Sequence, residues 1–300
     1  MNQGASLPRL RLDHPDRVWV SLAFSVWVMA LLAIALGSTL LTLTALLAVN
    51  SISFGAPLRW LRLGLQDVFA APAPNLIYGA LVALLSFAIW RSLIESDLAF
   101  WALSLSCGFV FVAPILAMGL YESGRALENN EKPELGRMLL VRSAMRSDVF
   151  YLGVALLFIY LFWGRVAQLV YGLSTYHLHK TMREFFAFAF NTAEGHTMLI
   201  SGTIVGGVMA FFTFAIAVTS TPMLMDQRSN MFEAVFISLR AVSKNFGPLL
   251  LWAALITALL ILSALTSWLA LVFVFPWLGL ASWRAYRDLV CEEGAAPRAA

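Results

Sequence analysis

The feature that most restricts this chain is a series of long stretches without a single charged residue. Pro248–Trp283 runs for 36 residues with no Asp, Glu, Lys or Arg. One helical crossing of a bilayer takes about 20 apolar residues. The stretch therefore predicts two spans of ~18 residues joined by a tight turn, which Ser263–Ser267 supplies. Four further runs are long enough for one span each. They are Asn75–Trp90 continuing to Ile94, Leu98–Tyr121, Phe150–Gly172 interrupted only by Arg165, and Met198–Met225. Val18–Phe54 is also uncharged and fits either one tilted span or two short ones turning near Gly37–Ser38. It is too long for the apolar core of a cleavable signal, about 7–15 residues. Because hydrocarbon cannot satisfy backbone polar groups, such runs cross as helices. The fold class expected is all-α, a polytopic transmembrane helical bundle with six core spans plus one or two N-terminal spans.

The stretches between the spans have their own pattern. In Leu58–Phe69 the apolar positions Leu58, Leu61, Leu65 and Val68 recur at helical spacing, with Arg59, Arg62 and Gln66 opposite. In Phe232–Lys244 the same positions are Phe232, Val235, Leu239 and Val242, with Glu233, Arg240 and Lys244 opposite. That period predicts amphipathic helices lying on a membrane surface. Laid on each other without a gap, the two segments also bring Pro74 onto Pro248 and Tyr78 onto Trp252. Farther on, Val112-Ala-Pro-Ile-Leu116 resembles Val274-Phe-Pro-Trp-Leu278, and Tyr121 and Arg125 fall on Trp283 and Arg287. A weaker middle copy has Leu135–Ser147 as its surface helix and Pro222-Met-Leu as its proline motif. The chain thus reads as three repeated units, each an amphipathic surface helix plus a helical hairpin with a proline near the end of its second span. The domain plan is an N-terminal tail and extra transmembrane segment (1–54), a repeat-built membrane domain (55–291, with units at about 55–125, 132–228 and 229–290) and a C-terminal tail (292–300).

Each unit begins and ends on one side of the membrane, so the charges can orient it. The surface-helix loops and the C-terminus hold most of the Lys and Arg residues, from Arg59 to Arg298. The other side holds Arg91, Lys180 and Arg183, with Arg165 close to it. By the positive-inside rule the C-terminus and surface helices are expected in the cytoplasm, in a multi-pass protein of the inner membrane. Arg9, Arg11 and Arg17 favour the same side for the N-terminus, which calls for an N-terminal hairpin. The basic residues are scattered rather than gathered into the stripe a nucleic-acid binder shows. Lipids, with other membrane proteins, are the partners expected, and no nucleic acid.

Four segments carry a family resemblance: Val49–Asp67, Val112–Glu122, Ser220–Asp226 and Pro276–Asp288. They resemble a bacterial integral membrane family catalogued as a domain of unknown function, sometimes labelled cytochrome c oxidase subunit I-like, over about 49–291. The first 48 residues look like an addition to it, or an upstream choice of start. The family often has His beside its final proline motif, where this chain has Leu280 and Arg284. The resemblance implies fold and location, and no activity.

The chemistry implied by the oxidase label can be tested on the residues. Haem and copper centres need several intramembrane His ligands. The four here are His14, His177, His179 and His196, none in the middle of a span. His177 and His179, with Glu184, Glu194 or His196, could form a metal site, but the spacing is not diagnostic, and a solvated loop over 173–197 is the simpler expectation. Arg91, Glu95 and Asp97 suit a solvated turn, and Glu122 and Asp226 suit pairing with nearby Arg. Cys107 and Cys291 form no CxxC, and no Walker, GxSxG or HExxH motif is present. Gly202-x-x-x-Gly206-Gly207 has the spacing of close helix packing within a bundle. No catalytic, cofactor or metal residue is therefore assigned. The expectation is a non-enzymatic scaffold or assembly or accessory factor, with a transporter or channel as the alternative.

Overall fold

The computed structural model describes residues 49–141, 147–227 and 229–290. The chain divides into two compact units, Met1–Leu46 and Leu47–Ala300. The first lies outside the described residues, and with it the expected N-terminal span or hairpin and the turn at Gly37–Ser38. The described residues fold into helices: α1 Ala56–Ala70, α2 Pro72–Glu95, α3 Ala99–Leu116, α4 Met118–Glu128, α5 Leu135–Leu139, α6 Ser147–Ser174, α7 Met182–Asn191, α8 Ala193–Ala217, α9 Ser220–Asp226, α10 Met231–Lys244, α11 Phe246–Leu265 and α12 Leu271–Leu289. Among them there is no strand, only one isolated antiparallel bridge between Val49 and Val290.

Among the described residues, five helical stretches are long and apolar enough to cross a membrane: Pro72–Glu95, Ala99–Glu128, Ser147–Ser174, Ala193–Asp226 and Phe246–Leu265. Their outer faces stay exposed, at Ile77, Leu81, Leu84 and Leu85 on α2, Phe158, Leu161 and Phe162 on α6, and Ile200, Ile204, Val208 and Phe212 on α8. Such a surface would be unstable in water and is at home in lipid. Two of the five stretches are broken. The α3–α4 break falls at Ala117, three residues beyond Pro114, and the α8–α9 break at Val218–Thr219 lies just ahead of Pro222. Proline removes one bond of the helical ladder and crowds the preceding turn, which is why the breaks gather there. Pro276 sits inside α12 without ending it.

α12 is the centre of the bundle. It packs on α1, α2 and α4, and it buries Leu271, Val274, Phe275, Leu278, Ala281, Trp283 and Tyr286 in the main core. Trp60 of α1 and Trp252 of α11 meet edge to face beside it, with ring centroids 5.7 Å apart. Close approach explains Gly64 in the middle of α1, because a Cβ there would lie 2.6 Å from the Ala281 backbone nitrogen. The run Pro248–Trp283 does turn back on itself. α11 ends at Leu265 and Thr266–Ala270 connects to α12, so the turn runs a few residues beyond Ser263–Ser267. Ser267 and Trp268 there take positive φ, 52° and 69°.

Four expectations change. The stripe Leu58, Leu61, Leu65, Val68 is not the buried face of α1. Leu58 is exposed, Leu61 and Leu65 are half-buried, and Trp60, Gly64, Asp67 and Val68 face the core. α10 is turned in the same sense: Phe232 is exposed, Val235 and Leu239 are half-buried, and Ala234, Ile237, Ser238, Ala241 and Val242 are buried. The physical reason is that a helix wedged between protein and lipid has two apolar sides, and hydropathy cannot tell them apart. The Leu135–Ser147 surface helix is shorter than expected. α5 ends at Leu139, Leu140 and Val141 are not helical, residues 142–146 lie outside the described residues, and Ser147 already opens α6. At 49–52 the tail of the Val18–Phe54 run is an extended strap. Asn50 N–H donates to the Leu289 carbonyl at 2.9 Å, and Ile52 N–H donates to Asn245 Oδ1 at 2.9 Å. Finally, 173–197 is no plain loop, since it contains α7.

Candidate functional site

The densest polar constellation is a collar around the last turns of α12. Helical spacing sends Trp283, Arg284, Tyr286, Arg287 and Asp288 in different directions, and each reaches another element. The Arg284 guanidinium grips Asp67 of α1 with two bonds, Nε to Oδ2 and Nη2 to Oδ1, both 2.8 Å. Arg287 donates to Glu128 of α4 at 3.2 Å and to Asp226 at the end of α9 at 3.3 Å. Tyr286 Oη donates to Asp226 at 3.0 Å, and Trp283 Nε1 donates to Glu128 at 3.3 Å. Asp288 accepts from Arg59 Nη2 at 2.7 Å and Trp60 Nε1 at 2.5 Å, both on α1. One helix end thus ties together the beginning, the middle and the end of the described chain.

A second group extends the collar. Glu122 of α4 is buried and takes Arg125 at 2.5 Å and Arg137 of α5 at 3.0 Å. Arg137 also holds Glu131 at 3.1 Å, and the Glu131 and Glu122 carboxylates raise the guanidinium pKa further above its ordinary value. Ser123 donates to the fully buried Asn75 of α2 at 2.7 Å, so the polar contacts continue inward by one layer. Forked guanidinium–carboxylate bonds are strong and direction-specific. Part-buried pairs are also the ones whose disruption leaves a charge without a partner. The side chains of Arg287, Glu128 and Asp226 are each less than a fifth exposed. The expectation for Glu122 and Asp226 named the right residue type. One Arg that holds Asp226, Arg287, is 61 residues away. Asp67 and Arg284 are separated by 217 residues, and sequence reasoning singled out neither as a pair. The helix-periodic placement of Asp67 beside Trp60 and Gly64 was the available signal.

The histidines do not converge. Tyr171 Oη donates to the His177 carbonyl at 3.0 Å, lies 2.8 Å from His179 Nδ1 and accepts the His179 N–H at 2.9 Å. His196 Nε2 instead contacts the Phe190 carbonyl at 2.9 Å. Glu184 closes a capping box with Thr181 at the start of α7. The N–H groups of Thr181 and Lys180 that donate to it hold its carboxyl below the usual value. Among the described residues no group of three or more His, Cys, Asp or Glu could hold a metal ion. His14 and Cys291 lie outside the described residues. Arg91 and Glu95 form an exposed i,i+4 pair at 2.6 Å, and Asp97 beside them takes φ 57° in the turn to α3. Arg165 bonds Gln168 on the surface of α6 at 3.1 Å. Gly206 faces Trp163 of α6, where a Cβ would lie 2.9 Å from the indole, so this glycine serves packing inside the bundle.

No curated protein and no solved structure matches the chain significantly. Residues 102–226, which contain the Val112–Glu122 and Ser220–Asp226 motifs, match the model of a family described as predicted integral membrane protein (DUF2189), an integral membrane family of the kind these motifs resemble.

Proposed function

We propose that this protein is a non-enzymatic scaffold, or an assembly or accessory factor, of the inner membrane. The observation that carries the reading is the collar. Its carboxylates Asp67, Glu122, Glu128, Asp226 and Asp288 are each engaged by an Arg from another helix. Charges used in this way fix the relative positions of helices and keep one end of the bundle rigid. A rigid end with exposed arginines is a platform for other membrane proteins. On this reading α12, wrapped by α1, α2 and α4, is the sixth core span, and the collar end faces the cytoplasm with the C-terminus. The three-unit repeat belongs to the same reading. It is supported by the shared burial of α1 and α10, in which aligned positions 58/232 are exposed, 61/235 and 65/239 half-buried, and 60/234, 64/238, 67/241 and 68/242 buried.

One observation favours the transporter or channel instead. The α8–α9 break lies among buried Thr219, Ser220 and Thr221, and the Thr219 and Thr221 hydroxyls have no hydrogen-bond partner. Broken helices with free polar groups line the sites of many transporters. Flux into liposomes carrying the purified protein, with a broad solute panel, decides between the two. Saturable uptake that is lost in Thr219→Val/Thr221→Val would overturn the scaffold, whereas no uptake together with stoichiometric co-purification of one membrane partner supports it. Reporter fusions after Lys132, Ser229 and Ala300 test the orientation. All three read cytoplasm and a fusion at Lys180 reads the opposite side, and the reverse pattern refutes it.

A further inference from the structure

At the other end of the bundle, α7 is built in three sectors. Thr181 and Glu184 start it with a capping box, and Thr192 ends it in an extended conformation while capping α8 through the Gly195 N–H at 3.0 Å. The result is a short helix set off by a corner from a membrane-crossing one. Phe185 and Ala189 are buried in a small core of their own with Ala99, Tyr171 and Met198, flanked by Met182 and Phe188. With about 100° between successive residues, the next sector holds Phe186 and Phe190. They are exposed, 43% and 61%, and stack on each other with centroids 6.0 Å apart. The third sector holds Arg183, Glu184, Ala187 and Asn191. The order around the helix is therefore protein, aromatic, polar.

We propose that α7 is an interfacial helix lying at the headgroup–acyl boundary, with Phe186 and Phe190 inserted in the lipid and Arg183 with its neighbours in the headgroup water. Two bulky rings facing water would leave an apolar patch without purpose, while an aromatic sector between a protein face and a polar face is the arrangement a helix needs at a bilayer boundary. The helix adjoins a membrane-length helix with an exposed apolar side. α7 packs on α8, whose own outer side is the exposed row Ile200, Ile204, Val208 and Phe212. The last turn of α6 adds exposed Leu173 and the loop leading into α7 adds exposed Tyr176 and Leu178, and Tyr rings favour the membrane interface. Lys180 and Arg183, both exposed, complement anionic headgroups. This inference goes beyond the scaffold reading and does not depend on it.

Site-directed spin labelling tests it in the full-length protein. On a background with Cys107→Ser and Cys291→Ser, the single variants Phe186→Cys, Phe190→Cys, Arg183→Cys and Ala187→Cys are labelled. They are reconstituted in vesicles of mixed phosphatidylethanolamine and phosphatidylglycerol. Thermal unfolding and gel-filtration profiles matching the unlabelled background confirm that each variant is folded, and a position that fails is replaced by labelling Leu178→Cys for the aromatic side or Asn191→Cys for the polar side. The proposal expects labels at 186 and 190 to be several-fold more accessible to oxygen than to a water-soluble nickel chelate, with the ratio reversed at 183 and 187. Equal chelate access at all four positions would overturn it in favour of a solvated helix. Low access to both reagents with immobilised spectra at 186 and 190 would overturn it in favour of a protein partner or a second copy.

Discussion

The two ends of this bundle solve the same problem, keeping helices together where the membrane meets water, with different chemistry. At the collar end, Arg284, Arg287 and Asp288 of α12 cross-link α1, α4 and α9 through charge. At the histidine end, α7 is held by aromatic packing, with Tyr171 against Phe185 at 6.0 Å and His179 stacked on Phe188 at 4.5 Å. Ion pairs between helices distant in sequence fix global geometry, because each one closes a long loop. A small aromatic core over neighbouring segments fixes only local geometry. The collar end should therefore govern the stability of the whole fold, and the histidine end that of one helix.

The largest effect expected is at the close contact beneath the collar. Gly64→Val drives a branched side chain into the Ala281 backbone, and overpacking of this kind costs at the upper end of roughly 1–3 kcal/mol. Thermal unfolding in detergent should fall sharply, and an unchanged midpoint would mean that α1 does not sit on α12. Arg284→Ala comes next. It leaves the nearly buried Asp67 without its forked partner, a loss of about 1.5–3 kcal/mol for a charged hydrogen-bonded group. Arg284→Lys should recover only part of it, since an ammonium cannot make two parallel bonds. Full recovery by Lys would reduce the pair to simple charge attraction.

The smallest effect belongs to the histidine end and tests the contrast directly. Thr181→Ala removes the α7 cap, worth roughly 0.5–2 kcal/mol to the helix. Hydrogen exchange over 182–186 should quicken while the global midpoint stays within the change seen for Arg91→Ala, an exposed pair worth about 0–1 kcal/mol. The cap also carries a sign in pH. Because hydrogen bonds depress the Glu184 carboxyl in the folded helix, its stabilisation is present above the ordinary carboxylate value. It fades as pH falls through the depressed one. Quickening across the whole protein would erase the difference between the ends.

Much of the architecture was legible because charge and hydrocarbon exclude each other. The runs Asn75–Ile94, Leu98–Tyr121, Phe150–Gly172 and Met198–Met225, whose only charges are Arg91 and Arg165, coincide with helices long and apolar enough to cross a membrane, and the long final run does fold back near Leu265. The collar was half legible. Glu122 and Asp226 stand out as acids at span ends, and Glu122 does pair with the nearby Arg125, but the bond from Arg287 to Asp226 spans 61 residues and leaves no periodic trace. α7 leaves little trace in hydropathy, because ten residues rich in Phe between polar neighbours are too short for a span.

What the sequence determined by itself is where this chain must be helical and which stretches can meet lipid, because transfer of charge into hydrocarbon is costly at every position and in any arrangement. Only the tertiary structure decided which side of each helix meets protein. In α1 the leucines were the obvious face, yet Trp60, Gly64 and Asp67 are turned inward. Lipid and protein interior are equally welcoming to Leu58, so its burial carries little weight. A glycine that permits close approach and an aspartate that needs Arg284 each have one place where they fit, and those residues set the rotation of the helix.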